Sequence, residues 1–381
     1  MKLIPSPTQL AAGIALAAFI STSASAQGSY VIGSSAAYSG YAATLDRAWV
    51  DGAKLAIKKL NEQGGFLGKK IEMVVEDNRS EPQEAVSGYR KMLSSDNAQV
   101  FVSGCLSAGN FAAAPVIVRQ KIPMVVCSIL PKEDNLVAWM FSLLPRPAYE
   151  VDTRLRYLQE KTQIREIGIL YDQSPYANLQ AKLAQENASK FSLKVVGAEQ
   201  FTQTDADFSV TIKKLHAAGA RAILKMGTGP SGVTAAKNLK ELALGIPMLT
   251  STEDMSVLIE VAKVLGKDML FVAGQTQVFN SVPDSDPIKQ VIADFVTPWR
   301  LEYGERDPFW AGRGYDAMMI LAEAVRKANS LDGEKVRDAL NTLPAFQGTS
   351  GLYNFSADHN GVTANPYVLA QIIDGKVVII K

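Results

Sequence analysis

Residues 227–232, with the sequence GTGPSG, come nearest to a cofactor-binding motif in this chain. They match GxGxxG, follow the apolar stretch AILKM and precede a helix-like segment, and Glu253 lies about 20 residues further on. In nicotinamide-dependent enzymes such a glycine turn binds the pyrophosphate and the acidic residue binds the ribose. Pro230, however, stiffens a loop whose amides would have to wrap a pyrophosphate, and the motif lies within the second half of the chain instead of opening a domain. We expect no cofactor here, although free amides at a helix start suit a ligand carboxylate. If the chain were an enzyme, this loop would make it an exported oxidoreductase that binds a nucleotide.

Few residues are available for catalysis or metal binding by histidine, because the chain has only His216 and His359. Neither HExxH nor paired CxxC occurs, so we expect no zinc or other metal site. A Ser-His-Asp or Cys-His triad would need one of these two residues. His216 lies in KKLHAAGA, which predicts an exposed helix end, and His359 lies in the turn-like SADHNG. We therefore predict no catalytic residues and no enzyme activity.

Charge excludes another class of function. Lys and Arg total 39 and Asp and Glu total 38, for a net charge of +1 with no dense basic run. A nucleic-acid-binding protein needs a basic surface for phosphates, so nucleic acid is not expected as a partner.

The first 26 residues have the pattern of a secretory signal peptide. Lys2 supplies a charged start, an apolar run spans residues 10–20, and Ala24-Ser25-Ala26 precedes Gln27. The apolar run is too short for a permanent membrane anchor, and no cysteine follows the cleavage site to carry a lipid. We expect cleavage after Ala26 and export.

Export changes the interpretation of Cys105 and Cys127, because an oxidising compartment lets two cysteines pair. Both follow apolar strands, VFVSG and PMVV, that are expected to be neighbours in a parallel sheet. A bridge would close a loop of about 22 residues and stabilise the fold by roughly 3 kcal/mol. A disulfide between Cys105 and Cys127 is the prediction, and two buried free thiols are the alternative.

The elements that must position these residues alternate between strand and helix along most of the chain. SYVIGSS, KIEMVVED, QVFVSG and IPMVVC are predicted strands of a first unit, with helices such as residues 44–61 between them. EIGILYD, LKVVGAEQF, ARAILKM, IPMLTS and MLFVAG form a second unit. Two late helices, about 288–303 and 310–329, and a terminal hairpin turning at Asp374-Gly375 follow. The fold class is therefore α/β, with two doubly wound parallel-sheet lobes.

Ligands of open parallel sheets bind beyond the carboxyl ends of the strands. The loops at those ends carry small, hydroxyl and aromatic residues instead of an acid-base cluster. If the lobes face each other, these loops line a shared cleft for a small molecule. They are residues 34–40, 104–110, 128–131, 172–176, 226–232 and 250–254.

The chain resembles the extracytoplasmic solute-binding proteins of branched-chain-amino-acid-type ABC transporters, the leucine/isoleucine/valine-binding protein family. The resemblance covers essentially all of the chain after residue 26, and its specificity lies in the order and spacing of the motifs. They are YSGYAATL, DGAKLAIKKLNEQGGFLGKKIEMVVEDNRSEP, VSGCLSAGNFAAAPVIVRQKIPMVV, ILYDQSPYA and GYDAMMILAEAV.

The resemblance implies a type I periplasmic-binding-protein fold, in which two lobes joined by a three-strand hinge close over a ligand. The N-terminal lobe would comprise residues 27–143 and 275–346, and the C-terminal lobe residues 144–274 and 347–381. It also implies a periplasmic monomer that delivers a small molecule to an ABC permease and ATPase. A ligand-sensing receptor module of the same fold is the alternative that the resemblance leaves open.

The family's ligand contacts carry over to positions in several of these loops and in a late helix. They are Ser107, Ala108, Ser128, Ile129, Leu130, Tyr176, Thr228, Glu253 and Tyr315. Family members that bind amino acids commonly have hydroxyl residues where Ala108 and Leu130 stand, and those hydroxyls hold the ligand carboxylate. The expected ligand is a small carboxylate-bearing molecule: a branched-chain or other amino acid or, because those hydroxyls are absent, an aromatic or aliphatic acid. Arg313 is a candidate bidentate clamp for the carboxylate. Tyr38, Tyr41, Tyr176, Trp310 and Tyr315 are aromatic residues available to stack on such a ligand.

Overall fold

The structure is a computed structural model that describes Met1 and residues 28–380. The predicted signal peptide and its cleavage site, apart from Met1, lie outside the described residues. No helix among the described residues combines the length and the apolar character needed to cross a bilayer.

The first sheet has five parallel strands in the order β2-β1-β3-β4-β5. Helices connect successive strands, as the alternation of patterns predicts. The strands are β1 (Tyr30–Ala36), β2 (Ile71–Asp77), β3 (Val100–Ser103), β4 (Met124–Val126) and β5 (Met140–Ser142). The helices are α1 (Ala43–Glu62), α2 (Pro82–Ser94), α3 (Ser107–Arg119) and the single turn α4 (Asp134–Val137).

The second sheet has seven strands in the order β14-β13-β10-β9-β8-β6-β7, and all but β13 and β14 are parallel. Its parallel strands are β6 (Glu166–Asp172), β7 (Lys194–Phe201), β8 (Ile223–Met226), β9 (Met248–Thr250) and β10 (Met269–Ala273). The helices are α5 (Pro147–Lys161), α6 (Pro175–Asn187), α7 (Ser209–Ala217), α8 (Ser231–Glu241) and α9 (Met255–Leu265). Short 3₁₀ turns span Ala188–Phe191, Gly266–Asp268 and Phe279–Ser281.

The last third of the chain crosses between the two sheets again. Helices α10 (Pro287–Tyr303), α11 (Phe309–Ala328) and α12 (Gly333–Asn341) follow β10, and α11 packs along α1 beside the first sheet. A two-stranded ribbon, β11 (Phe346–Gly348) and β12 (Gly351–Tyr353), precedes the hairpin of β13 (Val368–Ile373) and β14 (Lys376–Ile379). Since β13 pairs with β10, the chain ends on the second sheet.

The predicted α/β class with two doubly wound parallel sheets is confirmed, and so are the late helices and the terminal hairpin. The sequence pattern did not reveal β5, α12 or the β11–β12 ribbon. β5 and both strands of the ribbon have only three residues each, too few for an alternating pattern to be recognised.

Close packing of α1 on α11 depends on two glycines. A Cβ added to Gly52 would lie 1.9 Å from the backbone oxygen of Ala311, and one added to Gly314 would lie 1.9 Å from that of Trp49. We expect Gly52→Ala to destabilise the protein by about 3 kcal/mol, because the helices must separate to admit the methyl group. Chemical denaturation measures this change.

Gly232 in α8 is the matched control, since a Cβ there meets nothing closer than 3.8 Å. Gly232→Ala should be neutral or stabilise by up to about 1 kcal/mol through helix propensity. Equal effects at the two positions would contradict the packing argument.

Candidate functional site

A cavity of about 40 Å³ lies between the two sheets, at the carboxyl ends of their strands. The first sheet contributes residues that follow β1, β3, β4 and β5, and the second contributes residues that follow β6 and β8. Trp310, in the first turn of α11, completes the wall. The lining residues are Tyr41, Ala42, Leu45, Cys105, Leu106, Ser107, Ala108, Cys127, Leu144, Ser174, Pro175, Tyr176, Thr228 and Trp310. A ligand between the sheets would thus touch both units.

Two helix starts converge on this cavity. Helix α3 begins at Ser107, and α6 begins at Pro175 with Ser174 as its N-cap, whose Oγ accepts the N–H of Ala177 at 3.2 Å. Helix N-termini carry partial positive charge and free N–H groups, which favour an anion. No lining side chain is a carboxylate. The local field therefore favours a negatively charged group in the cavity.

Tyr176 presents its ring to the cavity, because its hydroxyl is already engaged. The hydroxyl donates to Glu150 Oε1 and accepts from Gln180 Nε2 at 3.2 Å. Glu150 is itself fixed by Thr252, whose N–H donates to Oε2 at 2.8 Å. This network holds the ring in place and leaves it as an apolar or stacking surface.

Glu253 lies behind the glycine loop and does not line the cavity. Its Oε2 accepts the N–H of Gly229, and its Oε1 accepts the N–H of Asp254 at 2.9 Å. Burial raises the pKa of Glu253 to about 7, against the opposing charge of the buried Lys225. A predicted ligand contact thus serves to hold the loop.

The GTGPSG motif is explained by packing within the second lobe. Gly227 has φ +91°, and a Cβ there would lie 1.8 Å from Asp172 Oδ2. The amide of Gly229 is taken by Glu253, so it is not free to wrap a pyrophosphate. The loop fits tightly against its own carboxylates, which argues against the nucleotide alternative.

Arg313 is a buried cation behind the cavity wall, with 1% of its surface exposed. Its Nη2 donates to the hydroxyl of Tyr367 at 3.0 Å, and its guanidinium lies 4.7 Å from the ring centroid of Trp310. Among the described residues, nothing accepts a hydrogen bond from its Nε or Nη1, or from Nε1 of Trp310. The charge of Arg313 lowers the pKa of Cys105, against the larger raising effect of burial.

Cys105 and Cys127 are free thiols in the structure, so the predicted disulfide is not formed there. They do follow neighbouring strands as expected, with the N–H of Cys127 donating to the oxygen of Ser103 at 3.3 Å. Burial, reinforced by the Cys127 thiol, raises the pKa of Cys105 well above its usual range. Cys105 is therefore a protonated, weakly polar part of the cavity wall at neutral pH.

The structure brings together four of the nine positions carried over from the family: Ser107, Ala108, Tyr176 and Thr228 line the cavity. After β4 only Cys127 reaches the cavity, and residues 128–130 do not. Ser128 is buried and its Oγ accepts from Asn110 Nδ2 at 3.1 Å, while Ile129 and Leu130 pack in the apolar cores. The backbone turns these three side chains into the first lobe.

Tyr315, a predicted ligand contact, does not line the cavity. It lies in a groove with Leu55 and Glu302, where its hydroxyl accepts from Lys59 Nζ at 3.0 Å. Five residues separate it from Trp310, which is about 140° around a helix, whereas Arg313 is only about 60° away. The aromatic residue of this helix that faces the cavity is Trp310.

Ala42, Leu45 and Leu144 are lining residues that the sequence analysis did not single out. Ala42 and Leu45 belong to the start of α1, where apolar spacing indicates core packing as readily as a ligand contact. Leu144 follows the unrecognised strand β5, so no signal pointed to it.

The two histidines lie away from the cavity, as do their contacts. His359 Nδ1 lies 2.6 Å from the oxygen of Val137 and 2.9 Å from that of Met140, and its ring stacks on Phe141. His216 is half-buried in the last turn of α7. His359 thus ties the turn at residues 358–361 to the edge of the first sheet.

A family model described as "Periplasmic binding protein" matches residues 29–376. Among curated proteins, "Leu/Ile/Val-binding protein homolog 1" of Brucella abortus is 24% identical over 355 residues, which covers 92% of each chain. This relative is a binding protein by name, in keeping with the expectation that the present chain is not an enzyme.

Solved structures share the fold. The substrate-binding protein LivJ of Streptococcus pneumoniae, in complex with isoleucine, superposes with a TM-score of 0.76 at 22% identity, over 92% of this chain and 98% of that one. A solute-binding protein of an ABC transporter from R. palustris, in complex with benzoate, has a TM-score of 0.78 at 18% identity, over 92% and 95%. At these identities the likeness shows the fold alone.

Proposed function

The chain belongs to the periplasmic binding protein family, and from this premise we propose that it is the solute-binding component of an ABC importer. Membership implies an extracytoplasmic location. Removal of residues 1–26 after Ala26 would release the protein into the periplasm as a monomer. There it would deliver a ligand to a membrane permease and its ATPase.

The cavity between the sheets carries this proposal. It is lined from both units, lies where two helix starts converge, and has no lining carboxylate or histidine. Such a wall can hold a guest through apolar contact and a few donors, but it lacks a base to activate a nucleophile. A small molecule carrying a carboxylate fits these features.

Arg313 is the proposed anchor for that carboxylate. A guanidinium can bind two carboxylate oxygens at once along one edge, and here Nε or Nη1 would donate together with the second N–H of Nη2. The cavity is too small for such a ligand as it stands, so the thiols and Trp310 in front of Arg313 must shift or the lobes must open. Ligand binding would then bring a carboxylate to donors that lack a partner.

Closure would follow the family pattern, with lobes of residues 27–143 plus 275–346 and 144–274 plus 347–381. The three chain crossings between the sheets support two lobes joined by a hinge. The third crossing follows residue 361 instead of residue 346, because Tyr353 donates to Asp316 in α11 and the N–H of Gly361 donates to the oxygen of Ser142 in β5.

Isothermal titration of the mature protein tests the proposal. We expect at least one ligand from a panel of amino acids, benzoate and short aliphatic acids to bind with a Kd below about 1 mM, and well below it for the natural class. NAD should leave Tm unchanged. Absence of binding across the panel, or a Tm increase with NAD alone, would contradict the proposal.

A further inference from the structure

We infer that the cavity selects a carboxylate that lacks an ammonium group, so that free α-amino acids are rejected. This inference rests on the proposed function and makes its ligand class specific. It follows from two observations: donors at the cavity lack acceptors, whereas the carboxylates near the cavity already accept hydrogen bonds.

Asp46 and Asp172 are buried carboxylates near the cavity that accept hydrogen bonds from the protein, and Asp172 also lines an adjoining cavity that shares Tyr41 and Ser174 with the first. Asp46 accepts the N–H groups of Ala37 at 2.7 Å and Cys105 at 2.6 Å. Asp172 accepts the N–H of Ser174 at 2.8 Å and Gln203 Nε2 at 2.9 Å.

Glu150 and Glu253 are bonded in the same way, to Thr252 and Tyr176 and to the amides of Gly229 and Asp254. None of these four carboxylates is among the lining residues. An α-ammonium group buried in the cavity would therefore have no anion beside it, which is costly.

The unpartnered atoms of Trp310 and Arg313 are donors, and the unpartnered acceptor Gln203 Oε1 lies outside the cavity lining. Nε1 of Trp310 and both Nε and Nη1 of Arg313 are buried without an acceptor in the described part of the chain. Trp310 is 2% exposed and lines the cavity directly. A buried donor without an acceptor is unfavourable, so a ligand that brings only acceptors relieves it. A carboxylate does this, and an ammonium group does the opposite.

The remaining wall is largely apolar, with hydroxyl groups from Tyr41, Ser107, Ser174 and Thr228. Leu45, Leu106 and Leu144 surround the cavity together with the ring of Tyr176. Such a surface favours an aryl or branched alkyl body over a polar one. The ligand class is thus an apolar monocarboxylate.

Titration of matched pairs tests the inference. 3-Phenylpropanoate and phenylalanine differ by one ammonium group, as do 4-methylpentanoate and leucine. We expect each acid to bind at least about 100-fold more tightly than its amino acid, since an unpaired buried charge costs several kcal/mol. Equal or tighter binding of the amino acids would overturn the inference and leave the proposed function intact. If neither these four compounds nor the wider panel bind, both fail.

Trp310→Phe tests whether the indole N–H of Trp310 donates to the ligand, because it removes that N–H and keeps an aromatic ring. We expect it to weaken binding of the acid about 10-fold, the value of one hydrogen bond to a charged group. Trp49→Phe is the matched control: Trp49 is equally buried and its Nε1 also has no acceptor among the described residues, but it does not line the cavity. An unchanged affinity in Trp310→Phe, or equal losses in both variants, would overturn the assignment of Trp310.

Discussion

Replacing Arg313 with glutamine is expected to weaken binding of a carboxylate ligand on the order of 100-fold. The guanidinium is buried, and its Nε and Nη1 have no acceptor within the described residues. A bidentate, charge-assisted pair of this kind contributes about 1.5–3 kcal/mol, and 1.4 kcal/mol corresponds to tenfold in affinity. Isothermal titration of the variant against the best ligand of the wild-type protein measures the loss.

Two variants separate the role of the charge from the role of burial. Arg313→Lys keeps the charge and loses the forked geometry, so its affinity should lie between those of the wild type and Arg313→Gln. Arg154→Gln removes an equally buried cation that does not line the cavity. Arg154 donates to the backbone oxygens of Glu150 and Lys225. The substitution should destabilise the fold with a smaller effect on affinity. If Arg154→Gln and Arg313→Gln reduce affinity equally, Arg313 is not the anchor.

The cavity could be located from the sequence, because the carboxyl ends of parallel strands meet at one edge of a sheet. That rule placed Cys105, Ser107, Tyr176 and Thr228 at the site, and all four line it. The predicted loops 34–40, 128–131 and 250–254 contribute no lining residue. It could not say which side chain of a loop turns inward. Cys127 and Ser128 are the first and second residues after β4, yet only Cys127 lines the cavity.

Long-range hydrogen bonds were the other missing information. Glu253 has the right residue type and position for an ammonium ligand, but its carboxylate is occupied by amides from its own lobe. Glu150 is 102 residues from Thr252, which it binds. Nothing in a single sequence indicates such pairings, so the acceptor-poor character of the cavity emerges only from the structure.

Raising the pH from 4.5 to 7.5 is expected to lower the free energy of unfolding by about 7 kcal/mol. Burial raises the pKa of Asp46 to about 6, of Asp316 to about 6 and of Glu253 to about 7. In the unfolded chain these groups titrate near 4. Between about pH 4 and 7 the folded protein therefore binds more protons, and stability falls as these protons are lost. Each unit of separation corresponds to about 1.4 kcal/mol.

Asp316 is the best single test because it lies away from the cavity. It accepts the N–H of Thr349 at 2.9 Å, the N–H of Ser350 at 3.2 Å and the hydroxyl of Tyr353 at 3.1 Å. Asp316→Asn removes the titration and one acceptor oxygen, so the variant should be less stable at low pH and should lose less stability as pH rises. The slope of unfolding free energy against pH is the readout, since it is independent of the lost hydrogen bond.

The direction of this pH dependence shows whether burial or hydrogen bonding has the larger effect on the pKa values of the carboxylates. Asp77 is the matched control: it is exposed, and the N–H groups of Arg79 and Tyr38 together with Ser39 lower its pKa despite the opposing effect of desolvation. Its contribution is present above about pH 4 and lost below it, so Asp77→Asn should leave the slope between pH 4.5 and 7.5 unchanged. Stability that rises over this range in the wild type would mean that the buried carboxylates are stabilised as anions. The hydrogen bonds that hold Asp46, Glu253 and Asp316 would then outweigh desolvation, and Asp46 and Glu253 would place negative charge behind the cavity wall.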